Sequence, residues 1–293
     1  MKKFVIVTGG SGFVGSNLIK FLIKKTAYTI ISIDDYSSGT KKNHINSKKV
    51  KYIKGNTKNI DTILKKYAKK IHSVFHFGEF SRIYQSFLKM NKCIQSNSIG
   101  TNAVFDFCLK NKIKLIYSAT SASLGNKGKD KDLSPYAFTK AKNLELLENL
   151  RKWFNFKYEV IFFYNVYGPG QIKKGDMSTV IGIFEDCFLK DLPLPVVKPG
   201  SQSRRFTHIS DTVKVCYKAW KSDKSRFYSI SNRKSYSILE VAKMFGKKIK
   251  FLPARKGERY ASALTTLSLS KKIYRTYGKI DLKNYVREFV KNM

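Results

Sequence analysis

The stretch Ser-Pro-Tyr-Ala-Phe-Thr-Lys, residues 134–140, sets Tyr136 and Lys140 four positions apart. On a helix that spacing turns both side chains to one face. A phenol with a pKa of about 10 is a poor base at neutral pH. A neighbouring ammonium group favours the phenolate and lowers that pKa, so the pair could take and return a proton as one unit. In a chain with 17 tyrosines and 57 lysines and arginines, the spacing alone describes two surface residues equally well. The elements around the pair decide between these readings.

Two such elements stand out. A hydroxyl cluster, Ser118-Ala119-Thr120-Ser121, ends the apolar run that precedes the pair. Far upstream, Val-Ile-Val-Thr-Gly-Gly-Ser-Gly-Phe-Val-Gly-Ser carries Gly9, Gly12 and Gly15 directly after an apolar strand and at the start of a helical pattern. Glycines there let backbone amides and a helix N-terminus approach a pyrophosphate without Cβ obstruction. Asp34 closes the next strand, nineteen residues beyond Gly15, where a carboxylate can bond a ribose diol. The same carboxylate repels a 2′-phosphate, which favours NAD over NADP.

Strands are expected over 4–9, 29–34, 49–56, 73–78, 114–120 and 158–168, with helices over about 12–24, 57–69, 93–111 and 136–153. Alternation of nearly continuous apolar strands with helices indicates a parallel sheet covered on both faces, the doubly wound α/β architecture. After Gly168-Pro169-Gly170 the pattern loses regularity, and a smaller C-terminal domain is expected from near residue 166.

The four cysteines (Cys93, Cys108, Cys187 and Cys216) have no metal-ligand or disulfide spacing and suit free thiols in the cytoplasm. No run reaches the roughly 18 apolar residues of a membrane span, and the glycine turn interrupts the apolar N-terminus. The formal charge, 57 − 20 = +37, raises the prospect of an anionic partner. Lysine is nevertheless scattered from Lys2 to Lys291 among apolar residues, and no nucleic-acid-binding motif is present. A lysine-rich surface without specific nucleic-acid recognition is the reading taken here.

The residues Thr-Gly-Gly-Ser-Gly-Phe-Val-Gly-Ser (8–16), Asp34, His-Phe-Gly (76–78), Asn97, Thr120 and Tyr-Ala-Phe-Thr-Lys (136–140) together resemble the extended short-chain dehydrogenase/reductases. Within these the chain looks like the NAD-dependent nucleotide-sugar epimerases and dehydratases. The segments 162–171, 202–211 and 254–259 carry the resemblance through nearly the whole length. It implies a Rossmann-type NAD-binding domain over 1–165 and a nucleotide-sugar-binding α/β domain over 166–293, with some later segments returning to the main sheet. Tyr136 is then the acid/base, Lys140 its pKa modulator and the holder of the nicotinamide ribose, and Thr120 the partner of the substrate hydroxyl. Gly9, Gly12, Phe13, Val14, Gly15, Asp34, Asn56, Phe77, Gly78 and Asn97 join Tyr136 and Lys140 around NAD. Asn165, Arg204, Arg255 and Glu258 meet a nucleotide-diphosphate sugar, the arginines because a planar guanidinium donates two bonds at once.

The implied chemistry begins with oxidation at the sugar's C4, with Tyr136 taking the hydroxyl proton. A transient 4-keto sugar results, and reduction from its other face makes a 4-epimerase. The family's dehydratases place Asp-Glu after the Ser/Thr. Here Ser121-Ala122 follow Thr120, and epimerisation leads, of a UDP-hexose or UDP-N-acetylhexosamine type. A 4,6-dehydratase, or a heptose 6-epimerase through Lys174, stands as the alternative within the family. An NAD-binding protein without catalysis, or a nucleic-acid-binding protein, stands outside it. A homodimer is implied through the helices near 93–111 and 136–153, with Val104, Phe105, Phe107, Leu144 and Leu147 at the interface.

Several residues depart from the pattern. Glu79, Ser81 and Arg82 bring charge where small residues are usual, and Glu79 reads as an acid/base, as a salt-bridge partner of Arg82, or as a buried structural acid. Asn56 replaces the acid that touches adenine. His76 is expected to pack or hydrogen-bond beside the cofactor, and His208 has no metal-ligand companion.

Overall fold

Short runs rich in β-branched residues make the strands, and alternate side chains along each run enter opposite layers. Val5 and Val7 of strand β1 (Phe4–Thr8) join one core, whereas Ile6 between them joins the other. The computed structural model describes residues 3–124, 131–224, 226–257 and 273–293. Strands β2 (Thr29–Asp34), β3 (Val50–Lys54), β4 (Ile71–His76), β5 (Lys114–Thr120) and β6 (Tyr158–Phe163) follow β1 in the chain. The small strands are β7 (Val166–Tyr167), β8 (Leu194–Val197), β9 (Ser203–Arg205), β10 (Thr207–His208), β12 (Ser235–Ser237) and β13 (Ile249–Leu252). Between and after them, β11 (Phe227–Ser231) and β14 (Ile273–Tyr277) extend the main sheet, whose order is β14-β11-β6-β5-β4-β1-β2-β3. Every pairing in that sheet is parallel.

Helices cover both faces. Helix α1 (Phe13–Lys25) lies on one face with α8 (Ile209–Lys221), where Leu18, Ile19, Leu22, Cys216 and Trp220 pack on Val5, Val7 and Ile161. On the other face lie α2 (Ile60–Leu64), α5 (Thr101–Lys110) and α6 (Pro135–Phe154), with α3 (Ile83–Leu88) and α4 (Met90–Ile94) leading into α5. The remaining helices are α7 (Val180–Leu189), α9 (Ile238–Met244) and α10 (Leu282–Lys291). They build a third core around Phe184, Phe206, Phe245 and Val286, drawn wholly from residues beyond 166.

The helix expected over 93–111 is interrupted. Residues Gln95–Gly100 form a wide π-type turn between α4 and α5. That turn sets Ser96 Oγ and Asn97 Oδ1 together on the Phe80 amide, at 3.1 and 2.7 Å. The strand expected over 158–168 ends at Phe163, because the chain leaves the sheet there and re-pairs as β7 with β10.

The apolar residues assigned to a dimer interface are placed differently. Val104, Phe105, Phe107 and Leu147 are at most 1% exposed and pack on the sheet, and Leu144 packs against them. The most apolar stripe of each helix is the one its own sheet buries. Phe105→Ala should therefore cost about 3–5 kcal/mol of folding stability. Leu189→Ala, at a residue 50% exposed, should stay within about 0.5 kcal/mol. Urea unfolding of both variants, followed by circular dichroism, checks the pair.

Candidate active site

Strand order reverses between β1 and β4, so the loops after their C-terminal ends diverge and leave a crevice. A cleft of about 620 Å³ opens there. Its floor is the turn after β1, held in a form only glycine permits. Gly9 has φ +69°, and a Cβ on it would lie 2.8 Å from the Gly78 amide nitrogen. A Cβ on Gly15 would sit 2.2 Å from the Gly9 carbonyl oxygen, so α1 packs against the turn backbone to backbone. No side chain caps α1 at Gly12, and Gly12, Phe13, Val14 and Gly15 all line the cleft. Uncapped first-turn amides at a helix N-terminus form an anion site suited to a pyrophosphate.

Asp34 stands at the rim, 7% exposed. Its two carboxylate oxygens accept from the Ser11 and Tyr36 amides, each at 2.8 Å. Burial pushes its pKa up and these two amides pull against that. Each oxygen keeps a further lone pair for a diol. Phe77, Gly78 and Asn56 also line the cleft. The Asn56 side chain accepts from the Lys58 amide at 3.1 Å and donates to Asp35 at 3.3 Å.

The helix bearing the tyrosine and lysine begins as its sequence directs. Ser134 Oγ caps the Ala137 amide at 3.1 Å, and Pro135 fills the first helical position. Tyr136, 9% exposed, lines the cleft together with Thr120 at the end of β5. Burial pushes the phenol up to about 12, Glu79 adds to the rise, and Thr120 and Arg82 oppose it. Lys140, expected to lower this phenol's pKa, has its own buried partners. The Lys140 ammonium is ion-paired with Glu79 and also donates to the Ser118 carbonyl, with side chains only 4% and 2% exposed for Lys140 and Glu79.

The three readings of Glu79 thus narrow. Its partner is Lys140 and not Arg82, whose guanidinium donates to the Met177, Ser178 and Ser81 carbonyls. His76 lies buried between Thr8 (2.7 Å) and Thr101 (2.9 Å), and burial lowers its pKa to about 4. Asn97, expected beside the cofactor, spends its amide on Phe80, accepting from its N–H and donating to its carbonyl at 3.0 Å. It braces the loop that carries Glu79 and is not among the residues lining the cleft. His208 caps α8, its Nδ1 accepting from the Ser210 amide. Among the described residues no group of His, Cys, Asp and Glu could hold a metal, and the four cysteines are free.

On the far wall the cleft is lined by Asn165, Arg204 and Arg255. Asn165 Nδ2 donates to the Arg205 carbonyl at 2.9 Å, and the Arg255 guanidinium lies 5.1 Å from the Tyr84 ring centre. Glu258 lies outside the described residues. Lys174 faces solvent, 69% exposed and 3.7 Å from Asp186, away from the cleft lining. Sequence reasoning missed Thr101, Tyr117 and Asn143 as partners of Glu79. A lone acid directly after an apolar strand was the available signal.

The model of the NAD dependent epimerase/dehydratase family matches residues 5–231. The chain is 29% identical over 255 residues to an ADP-L-glycero-D-manno-heptose-6-epimerase of Brachyspira hyodysenteriae, covering 82% of this chain and 79% of that one. A UDP-N-acetylglucosamine 4-epimerase of Methanobrevibacter ruminantium, solved with UDP-N-acetylmuramic acid, superposes with TM-score 0.82 at 26% identity over 99% of this chain and 98% of that one. A UDP-glucose 4-epimerase of Thermotoga maritima, solved with UDP-glucose, gives TM-score 0.85 at 23% identity, over 98% and 97%.

The glycine floor is open to a direct check. Gly15→Ala sets a methyl against unyielding backbone and should cost about 1–3 kcal/mol of stability. NAD affinity should fall at least about tenfold as the turn shifts, one hydrogen bond being enough for that. Calorimetric titration with NAD beside urea unfolding reads both quantities.

Proposed function

This chain belongs to the NAD-dependent epimerase/dehydratase family, and we propose that within it the protein is a nucleotide-sugar 4-epimerase acting on a UDP-hexose or UDP-N-acetylhexosamine. NAD is its cofactor, and the uncapped α1 N-terminus, the glycine floor and Asp34 fit that group. When bound, NAD accepts and returns hydride, so the cycle has no net redox change. The residues from 166 onward form the nucleotide-sugar side of the cleft in this reading.

The observation that carries it is that Tyr136, Thr120 and Lys140 line the same cleft as the glycine floor and the two arginines. Thr120 orients the sugar hydroxyl, and Tyr136 takes its proton and later returns one to the 4-keto oxygen. Arg82 and Thr120 are the groups that favour the phenolate against burial. Arg204 and Arg255 answer a diphosphate. Ser121 and Ala122 lie where a dehydratase would need an acid and a base, and both are buried. The outward position of Lys174 speaks against the heptose 6-epimerase route. The high positive charge acts as general surface electrostatics, with no motif that selects a nucleic-acid sequence.

Incubation with a panel of nucleotide sugars, followed by NMR without added NADH, should show one pair of C4 epimers interconverting. A stoichiometric demand for NADH or NADPH would sink the proposal. Tyr136→Phe should keep its fold and NAD binding and lose turnover by a factor on the order of 10² to 10⁴. Wild-type kcat should climb with pH toward the high phenol pKa, because the phenolate is the scarce form at neutrality. Dimerisation belongs to the same reading, now through Ile99 and Phe138, which are 46% and 45% exposed on the two helical segments. Light scattering should give a dimer at micromolar concentration, and Phe138→Glu should shift it to monomer.

A further inference from the structure

We propose that Glu79 is a positioning residue for Lys140, holding the ammonium so that one N–H is left for the nicotinamide ribose, and tying it to the phosphate turn through a chain of buried hydrogen bonds. The inference rests on Lys140 being the ribose contact, as in the function proposed above.

The geometry is a donor count. A lysine ammonium has three N–H groups. One goes to Glu79 Oε2 and one to the Ser118 carbonyl, which leaves a third, and Lys140 is among the residues lining the cleft. The other Glu79 oxygen accepts from Thr101 Oγ1 at 2.9 Å and Tyr117 Oη at 3.1 Å. Since Thr101 spends its single hydroxyl proton on Glu79, it must accept from His76 Nε2, which fixes the neutral Nε2–H tautomer. His76 Nδ1 then accepts from Thr8 Oγ1, which in turn accepts from the Phe77 and Gly78 amides. Thr8 is the residue before Gly9. Every link from the glycine turn to Glu79 thus points the same way, and that chain and Lys140 converge as donors on its carboxylate.

Charge makes the arrangement testable. Burial pulls the Lys140 pKa down and Glu79 is the main group holding it up. The other titratable groups facing Lys140 are His76 of β4, Cys93 of α4, Tyr117 of β5 and Tyr136 of α6. His76 titrates at about 4, Cys93 at about 11, Tyr136 at about 12 and Tyr117 well above its usual range. None of them changes charge between about pH 6 and 9. In Glu79→Gln, Lys140 loses the group that holds its pKa up against burial, so its charge is the one in the cluster that should become pH-dependent toward neutrality.

NADH binding, read by fluorescence titration across that pH range, decides the matter. Wild type should bind with a flat profile. Glu79→Gln should approach wild-type affinity at low pH and weaken progressively as pH rises, by about tenfold or more at the top, the worth of a charge-assisted hydrogen bond. Glu79→Asp keeps the charge one methylene short and should bind more weakly with a flat profile. A merely structural acid predicts weakening without slope, and a flat Glu79→Gln profile overturns the proposal. If Glu79→Gln yields no folded protein, a sloping profile or wild-type affinity in Glu79→Asp does the same. Failure of wild type to interconvert any nucleotide sugar would remove the proposed function, while the NADH titration would still judge Glu79.

Discussion

A carboxylate and an ammonium share one buried site in the wall of the cleft, and neither is tolerable there alone. A buried ion loses several kcal/mol of hydration, which a partner offsets only with good geometry and further hydrogen bonds. Glu79 has both, with Lys140 on one oxygen and two hydroxyls on the other. Four elements must meet for this to hold: the loop after β4, the end of β5, α5 and α6. The packing of the parallel sheet brings them together, and the pair in turn restricts how far they can move apart.

The loop that carries Glu79 shows how the constraint spreads. Asn97 clamps the next residue, Phe80, on both its amide and its carbonyl, and Asn143 donates to the Asn97 carbonyl at 2.7 Å. The wide turn between α4 and α5 exists at the point where those side chains must reach inward. On the opposite side, Gly78 lies so near the glycine turn that a Cβ would contact the Gly9 nitrogen at 3.0 Å. The polar pocket and the phosphate turn are therefore two faces of one tightly packed junction between β1 and β4.

The charges around the tyrosine and the lysine have different partners. Lys140 is neutralised by Glu79, and the groups that favour the Tyr136 phenolate are the Thr120 hydroxyl and the Arg82 guanidinium. Arg82 is held by backbone carbonyls, has no acid among its described partners and lines the same cleft.

Much of this was legible in the sequence, for a local reason. Period-two apolar runs, a glycine turn before a helix, an acid closing the second strand and Ser-Pro before Tyr136 each encode their structure within a few residues. They specified the doubly wound fold and the residues of the cleft. The partner of Glu79 could not be read that way, because it lies 61 positions away and only the β4–β5–α6 packing brings it near. The interface residues failed for the same reason: Phe105 and Phe107 are apolar on paper, and only the sheet beneath them decides that they face inward. Sequence fixes what a residue can do. Which neighbour it meets, and hence the charge state and role it takes, is decided by the tertiary packing that sets its surroundings.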